Sequence, residues 1–254
     1  MIKSMLTTIK HYDAKFKKEL NPKVGLIALS TDKTIESDFN RICVDLPLSI
    51  FINRIHNQNP LTKENLSKMK NDLESVAKKI LPNEKIDTIA YGCTSGTIAA
   101  GYDTIRSKIN LAKPDAKVTT PITSAIKALK KFDIKKISIF TPYTKTINDS
   151  VVNYFKKENI SVNSLTYFDI ASDLDIGKVD ENYLFEVLSK IDLEDSDALF
   201  VSCTALPVLS IIDKLEKKLD KIILSSNQTL IWDSLNLIGN KDPVVGFGKI
   251  FEVN

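Results

Sequence analysis

The sequence predicts an α/β protein made of two similar halves, each carrying a parallel sheet, and three observations predict it. Short apolar runs alternate with longer amphipathic stretches along the chain, the pattern of successive βα units. The runs are continuously apolar, as strands covered by helices on both faces must be. Finally, two segments of the first half recur in the second at nearly constant offset.

The elements follow in order. Residues 24–29 are a buried-strand run. Residues 61–80 (LTKENLSKMKNDLESVAKKI) have helical periodicity, begin near Thr62 and place Glu64 and Glu74 on a polar face. Residues 86–91 form a second strand, and after a turn at Gly92 residues 96–109 read as a helix. A short strand at 118–121 ends at Pro121, and 123–132 is helical. The second half gives strands at 137–140, 162–166, 198–201 and 222–224. Its helices fall at 145–157, 181–191, 206–219 and 228–237. No linker rich in Gly, Pro or Ser interrupts the chain.

The recurrence is specific. IDTIAYGCTSGT, from Ile86, echoes SDALFVSCTALP, from Ser196: an acidic residue, an apolar strand, a small residue, then Cys-Thr. Cys93 and Cys203 stand 110 residues apart, and VGLIALSTDKT from Val24 echoes KISIFTPYTKT from Lys136 at an offset of 112. Two such halves facing each other enclose a cleft. Each presents its Cys-Thr loop at the carboxyl end of a strand, where α/β sheets bind ligands.

Composition narrows the function. The 254 residues are 43% hydrophobic and 26% charged, an ordinary globular composition. Net charge is only +3, and the lysines are dispersed, as at Lys15, Lys17 and Lys18, at Lys130 and Lys131, and at Lys217 and Lys218. They read as solvated helix faces, so no nucleic-acid partner is expected. No apolar run reaches the roughly 20 residues of a membrane helix, and residues 1–20 lack a signal-peptide core, so no membrane association and a cytoplasmic location are expected. Cys43, Cys93 and Cys203 cannot pair completely and are expected as free thiols. Cys43 lies outside the repeat and reads as structural. His11 and His56 lie in polar stretches and read as exposed. Without a Cys-x-x-Cys pair or clustered histidines no zinc site is expected. G-x-G-x-x-G, P-loop and G-x-S-x-G patterns are also absent. No cofactor is expected.

The chemistry therefore falls on the cysteines. Cys93 ends a strand and precedes a helix, so its thiol is expected to feel the positive end of the helix dipole, which lowers its pKa. The hydroxyls of Thr94, Ser95 and Thr97, with the free N–H groups of the helix start, can hold a carboxylate. Cys203 repeats this context with Thr204 and Ala205. Two thiols on opposite sides of one carbon suit proton removal on one face and return on the other. They equally suit thiolate addition to an activated double bond, rotation and elimination. Either route needs donors for charge developing on the carboxylate. Tyr143, in FTPYT just past a strand, can supply one or simply pack on the cleft wall. Asn227 and Gln228, in SSNQT, bind substrate or cap the following helix. A reading from another class is a non-catalytic ligand-binding or redox-sensing protein, one cysteine being oxidised and the other resolving it.

The segments VGLIALSTDKT, YGCTSGT, VTTP, FTPYT, VSCTAL and SSNQ, in this order, resemble the aspartate/glutamate/hydantoin racemase superfamily, in its maleate isomerase and arylmalonate decarboxylase branch. The resemblance implies two pseudo-symmetric Rossmann-like halves, 22–119 with 226–254 and 120–225, and an active site between them without a cofactor. It carries the paired catalytic cysteines onto Cys93 and Cys203 and the active-site tyrosine onto Tyr143. It implies a small carboxylate substrate and, since relatives often associate, a homo-oligomer. The decarboxylase pattern keeps only the second cysteine and fits poorly. Maleate isomerases place an asparagine where this chain has Asp32, and another near Asp173. An ionised aspartate repels a carboxylate and suits a substrate with a cationic nitrogen, such as an amino acid or cyclic amidine. STDKTIESDF, from Ser30, also looks like the branch found among ectoine-utilisation proteins. Without a substrate, Asp32 is a helix N-cap.

Overall fold

The computed structural model describes residues 10–16 and 20–252. Lys17, Lys18 and much of the N-terminal stretch read above lie outside the described residues. Among the described residues eight strands form two four-stranded parallel sheets. The first contains β1 (Lys23–Leu29), β2 (Ser49–Ile55), β3 (Thr88–Tyr91) and β4 (Lys117–Thr119), in the order β2-β1-β3-β4. The second contains β5 (Lys136–Thr141), β6 (Ser161–Tyr167), β7 (Ala198–Val201) and β8 (Ile222–Ser225), in the order β6-β5-β7-β8.

The sequence repeat is thus a repeat of topology, and it reaches single hydrogen bonds. The Asp87 carboxylate accepts from the Lys23 N–H at 2.8 Å, and Asp197 from the Lys136 N–H at 3.2 Å. At the other strand ends the Gly92 N–H donates to the Ile27 carbonyl and the Ser202 N–H to the Phe140 carbonyl, each at 2.8 Å.

The helices are α1 (Ile35–Cys43), α2 (Lys63–Lys68), α3 (Leu73–Lys78), α4 (Thr94–Ala100), α5 (Tyr102–Ala112), α6 (Pro121–Lys131), α7 (Lys145–Lys157), α8 (Asp173–Ile176), α9 (Glu181–Leu188), α10 (Ile212–Leu219) and α11 (Ser226–Leu237). Among the described residues none is long and apolar enough to cross a membrane.

Several elements differ from the sequence expectation. The stretch 61–80 breaks into α2 and α3 around a 3-10 turn at Met69–Asn71, next to Asn71 and Asp72, residue types whose side chains compete for backbone hydrogen bonds. Residues 96–109 split at Gly101, whose φ of +84° no helix accommodates. After Cys203 the expected helix at 206–219 starts late. A 3-10 turn at Leu209–Ile211 leads into α10, because Pro207 pushes its predecessor out of helical geometry. Two elements are additional. Strand β2 (SIFINRI) is at a sheet edge, so it mixes exposed Ile52 and Arg54 with buried Ile55 and shows no continuous apolar run. Helix α1 buries only a short stripe, Ile35, Phe39 and Ile42.

Helix α11 positions the site. It leaves β8 and packs against α1, α6 and β3, so residues 226–235 are all buried. Its Asp233 is satisfied by the Lys127 ammonium at 2.7 Å and by the Thr119 and Ser124 hydroxyls. The first turn of α11 thereby lies between the two cysteine loops.

Candidate active site

In each sheet the strand order reverses between the first and third strands, and a ligand crevice opens at the carboxyl ends of such strands. The loops there are residues 30–34 after β1, 92–95 after β3, 142–144 after β5 and 202–205 after β7. They bring together Asp32, Cys93, Tyr143 and Cys203. The loops are tied across the halves. The Thr34 hydroxyl donates to the Ala205 carbonyl at 2.8 Å, and the Thr204 hydroxyl to the Gly92 carbonyl at 3.2 Å. Ser226 links both cysteine loops: its hydroxyl pairs with that of Thr94 at 2.8 Å and accepts from the Cys203 N–H at 3.0 Å. The hydroxyls of Thr94 and Thr204 are therefore engaged in holding the loops, and the free N–H groups at the start of α4 are what those loops offer a carboxylate.

Cys93 is the N-cap of α4, and its sulfur accepts the Gly96 N–H at 3.2 Å with the Ser95 hydroxyl at 3.9 Å. The helix start is in place, yet the expected lowering of the pKa does not follow. Cys93 is 3% exposed, and burial pushes its thiol up to about 12 against the Gly96 N–H. Cys203 is 4% exposed and is likewise driven upward by burial, opposed by the Tyr143 phenol and the Ala205 N–H. It does not repeat the helix-start context, since no helix follows it directly. It sits instead at φ +107°, a strained value for a residue with a side chain. The charges of Asp173 and Asp32 raise both thiols further.

Gly96 fits this corner because it lacks a side chain. A Cβ there would stand 2.7 Å from the Cys93 sulfur, 2.8 Å from the Met69 methyl and 2.9 Å from the Tyr91 hydroxyl. Gly96→Ala is expected to displace the thiol, cost about 1–3 kcal/mol of stability and lower kcat more than tenfold, on the order of the loss a small misplacement causes. Denaturant unfolding alongside steady-state kinetics checks both.

Tyr143 is 2% exposed, held by its own N–H on the Thr141 hydroxyl and by its carbonyl, which accepts from Asn148 at 2.9 Å. Burial and the two neighbouring thiols hold its phenol well above the usual range, so it is a hydrogen-bond donor at neutral pH.

Asp32 combines the cap with a buried second oxygen. One carboxylate oxygen accepts the N–H groups of Thr34 (2.8 Å) and Ile35 (3.0 Å) at the start of α1, whereas Oδ2 is buried and, among the described residues, has no partner in hydrogen-bonding geometry, although the Thr204 hydroxyl and the Arg54 guanidinium lie near enough to favour its charge. Burial raises its pKa. Asp173, at the start of α8, accepts from the Thr31 hydroxyl at 2.6 Å and is pushed up to about 6 by burial. Asn227 spends its amide donors on the Asp38 carboxylate and the Thr204 carbonyl, both at 2.8 Å, and its Oδ1 is left unpartnered. The cap of α11 is Ser225, paired reciprocally with Gln228.

Burial raises Asp38 as well, to about 7. The native state thus binds protons more tightly than the unfolded chain at Asp32, Asp38 and Asp173, and stability falls as pH rises through the window from about 4 to about 7. The melting temperature is expected to increase on acidification from about pH 8 toward pH 5, with Asp38 alone contributing up to roughly 3 kcal/mol over that range. Asp38→Asn keeps an acceptor for Asn227 and should flatten the slope, which thermal scans across pH would show.

Ser226, Thr31, Asp38 and Tyr91 contact candidate site residues, and local sequence reading does not single them out. The repeat carries a signal for Thr31, which aligns with Tyr143; Ser226 reads locally only as part of a cap. Cys43 is buried on α1 and raised to about 12 by burial alone. His11 and His56 are exposed. Among the described residues no group of three or more His, Cys, Asp or Glu side chains is placed to hold a metal ion.

Known proteins match along most of the chain. The maleate isomerase of Geobacillus stearothermophilus is 25% identical over 243 residues, covering 90% of this chain and 96% of that protein. The maleate isomerase of Pseudomonas putida is 26% identical over 196 residues, covering 74% and 78%. In structure, the chain resembles a Nocardia farcinica maleate cis-trans isomerase, a cysteine-to-serine mutant with a covalently bound succinylcysteine intermediate. The TM-score is 0.84 at 18% identity, covering 92% of this chain and 99% of that one. The family model described as arylmalonate decarboxylase matches residues 61–251, which include both cysteine loops and the first turn of α11. With that match and the isomerase relatives together, the chain is an isomerase enzyme that belongs to the arylmalonate decarboxylase family.

Proposed function

We propose that Cys93 and Cys203 are the acid–base pair of a cofactor-independent isomerase that inverts the carbon beside a carboxylate, on a substrate carrying a cationic nitrogen. One observation carries this reading: the charged groups acting on both thiols are the buried carboxylates Asp173 and Asp32, and Asp32 has one oxygen without a partner in hydrogen-bonding geometry among the described residues. In their ionised form these carboxylates oppose a dianion, and an ammonium or amidinium would favour that form against the burial that raises both groups and so complete the site. Forming a thiolate at pH 7 from a thiol near 12 costs about 7 kcal/mol. A bound cation offsets part of this by cancelling the two carboxylates. The Gly96 N–H makes Cys93 the better thiolate, and Cys203, with no helix start behind it, is the thiol that keeps its proton until the carbanion takes it. Cys93 removes the α-proton, Cys203 delivers its own to the opposite face with the Tyr143 phenol donating to the thiolate it leaves, and the N–H groups at the start of α4 hold the charged carboxylate.

The maleate isomerase relatives favour a second reading, cis-trans isomerisation through thiolate addition. With Asp173 protonated below about pH 6 the repulsion of a dianion weakens. Incubation in deuterated water with single enantiomers of aspartate, glutamate and ectoine, and separately with maleate, tests both. Inversion with deuterium at the α-carbon supports the first reading. Fumarate formation that rises below about pH 6 supports the second. No turnover of either kind removes both.

A further inference from the structure

We propose that Tyr91 is a positioning residue for Cys93, its phenol placed to donate a hydrogen bond to the Cys93 thiolate when that thiolate forms. Tyr91 ends β3, two residues before the cysteine, and is 1% exposed. Among the described residues the bond its hydroxyl makes by geometry is to the Met69 sulfur, at 3.9 Å, a weak thioether acceptor, and Cys93 is the other side chain acting on it by hydrogen bonding and charge. A buried phenol normally finds an oxygen or nitrogen partner.

The space beside Gly96 shows where this hydroxyl is directed. The Cys93 sulfur and the Tyr91 oxygen lie 2.7 and 2.9 Å from one and the same point, the place a Gly96 Cβ would take. The two atoms therefore share one small corner, closed on its third side by the Met69 methyl at 2.8 Å. The Tyr91 phenol is held well above its ordinary range by burial and, to a smaller degree, by Cys93, so it keeps its proton while the thiol loses one.

The duplication strengthens the argument. At the 110-residue offset Tyr91 corresponds to Val201, so the second half has no tyrosine there. Its thiol is served instead by Tyr143, where the first half has Thr31 by sequence offset and Ser30 by strand register, and so no tyrosine. Each cysteine has a buried phenol beside it, and the two phenols come from non-equivalent positions. A packing residue inherited by duplication would recur at the same place.

This inference rests on the reading of Cys93 as a reacting thiol, and it is tested without substrate, so it fails separately from the isomerase reading. Alkylation of the full chain by iodoacetamide is followed against pH, with Cys93 and Cys203 resolved by peptide mass spectrometry. In Tyr91→Phe, an almost isosteric change, Cys93 is expected to react about tenfold more slowly near neutral pH, the loss of one charge-assisted bond, with its inflection displaced upward and Cys203 unchanged. Tyr143→Phe should do the converse. Met69→Leu, which leaves the phenol only the thiol to serve, should speed Cys93 labelling. An unaltered Cys93 profile in Tyr91→Phe, an equal slowing of both cysteines, or slower Cys93 labelling in Met69→Leu overturns the proposal.

Discussion

Cys203→Ser is expected to lower kcat by about a thousand-fold with little change in KM, and Cys93→Ser to do the same. A serine hydroxyl is close in shape to the thiol and at Cys93 still accepts the Gly96 N–H. At Cys203 it leaves the φ of +107° and the N–H bond to Ser226 as they are. The cleft is retained, so ground-state binding should persist. What is lost is acidity. A hydroxyl neither gives up its proton to a carbanion nor forms an anion at neutral pH as a thiol can, and the deficit appears in the transition state alone. Cys43→Ser supplies the control. That thiol is buried on α1 outside the loop cluster, so the change should reduce stability and leave kcat near its original value. Steady-state kinetics on whichever substrate exchanges deuterium gives the comparison. Undiminished kcat in both Cys93→Ser and Cys203→Ser would remove the thiols from the reaction.

Much of this site is legible in the sequence because its loops follow strands buried on both faces. Val24 to Leu29 and Ala198 to Val201 cannot be other than strands in an α/β pattern, and the Cys-Thr dipeptides sit where such strands end. The edge strand β2 is not legible in this way, for the polar Asn53 and Arg54 break the apolar run. The acidity of the thiols is the larger surprise. A helix start is visible from spacing, but the desolvation that outweighs it depends on what α11 and the second half stack above the loop. Ser226 is illegible for the same reason, since its partners Thr94 and Cys203 are brought to it only by tertiary packing. Asp32 is ambiguous in the sequence because it is doubly placed: one oxygen caps α1 and the other is buried beside the cysteine loops without a partner in hydrogen-bonding geometry among the described residues.

That double placement makes Asp32→Asn the sharpest probe of what the cleft accepts. The asparagine oxygen can keep the bonds from Thr34 and Ile35, so α1 stays capped, and the amide then offers a donor where Oδ2 was. For a substrate with a cationic nitrogen, kcat/KM is expected to fall about a hundred-fold, roughly 3 kcal/mol, as a buried charge pair loses one member. For maleate, activity is expected to rise, because like charge is replaced by a hydrogen-bond donor. Protein stability should not suffer, since a buried carboxylate that burial disfavours has been removed. Asp173→Asn separates the second carboxylate by pH. With Asp173 near 6, wild-type kcat/KM on the cationic substrate should decline as pH drops through that value, and the variant should lose this limb. Profiles of kcat/KM against pH for both substrates decide the matter. A fall on both after Asp32→Asn would mean that the carboxylate only shapes the loop, and the cation would then have no counterpart in the cleft.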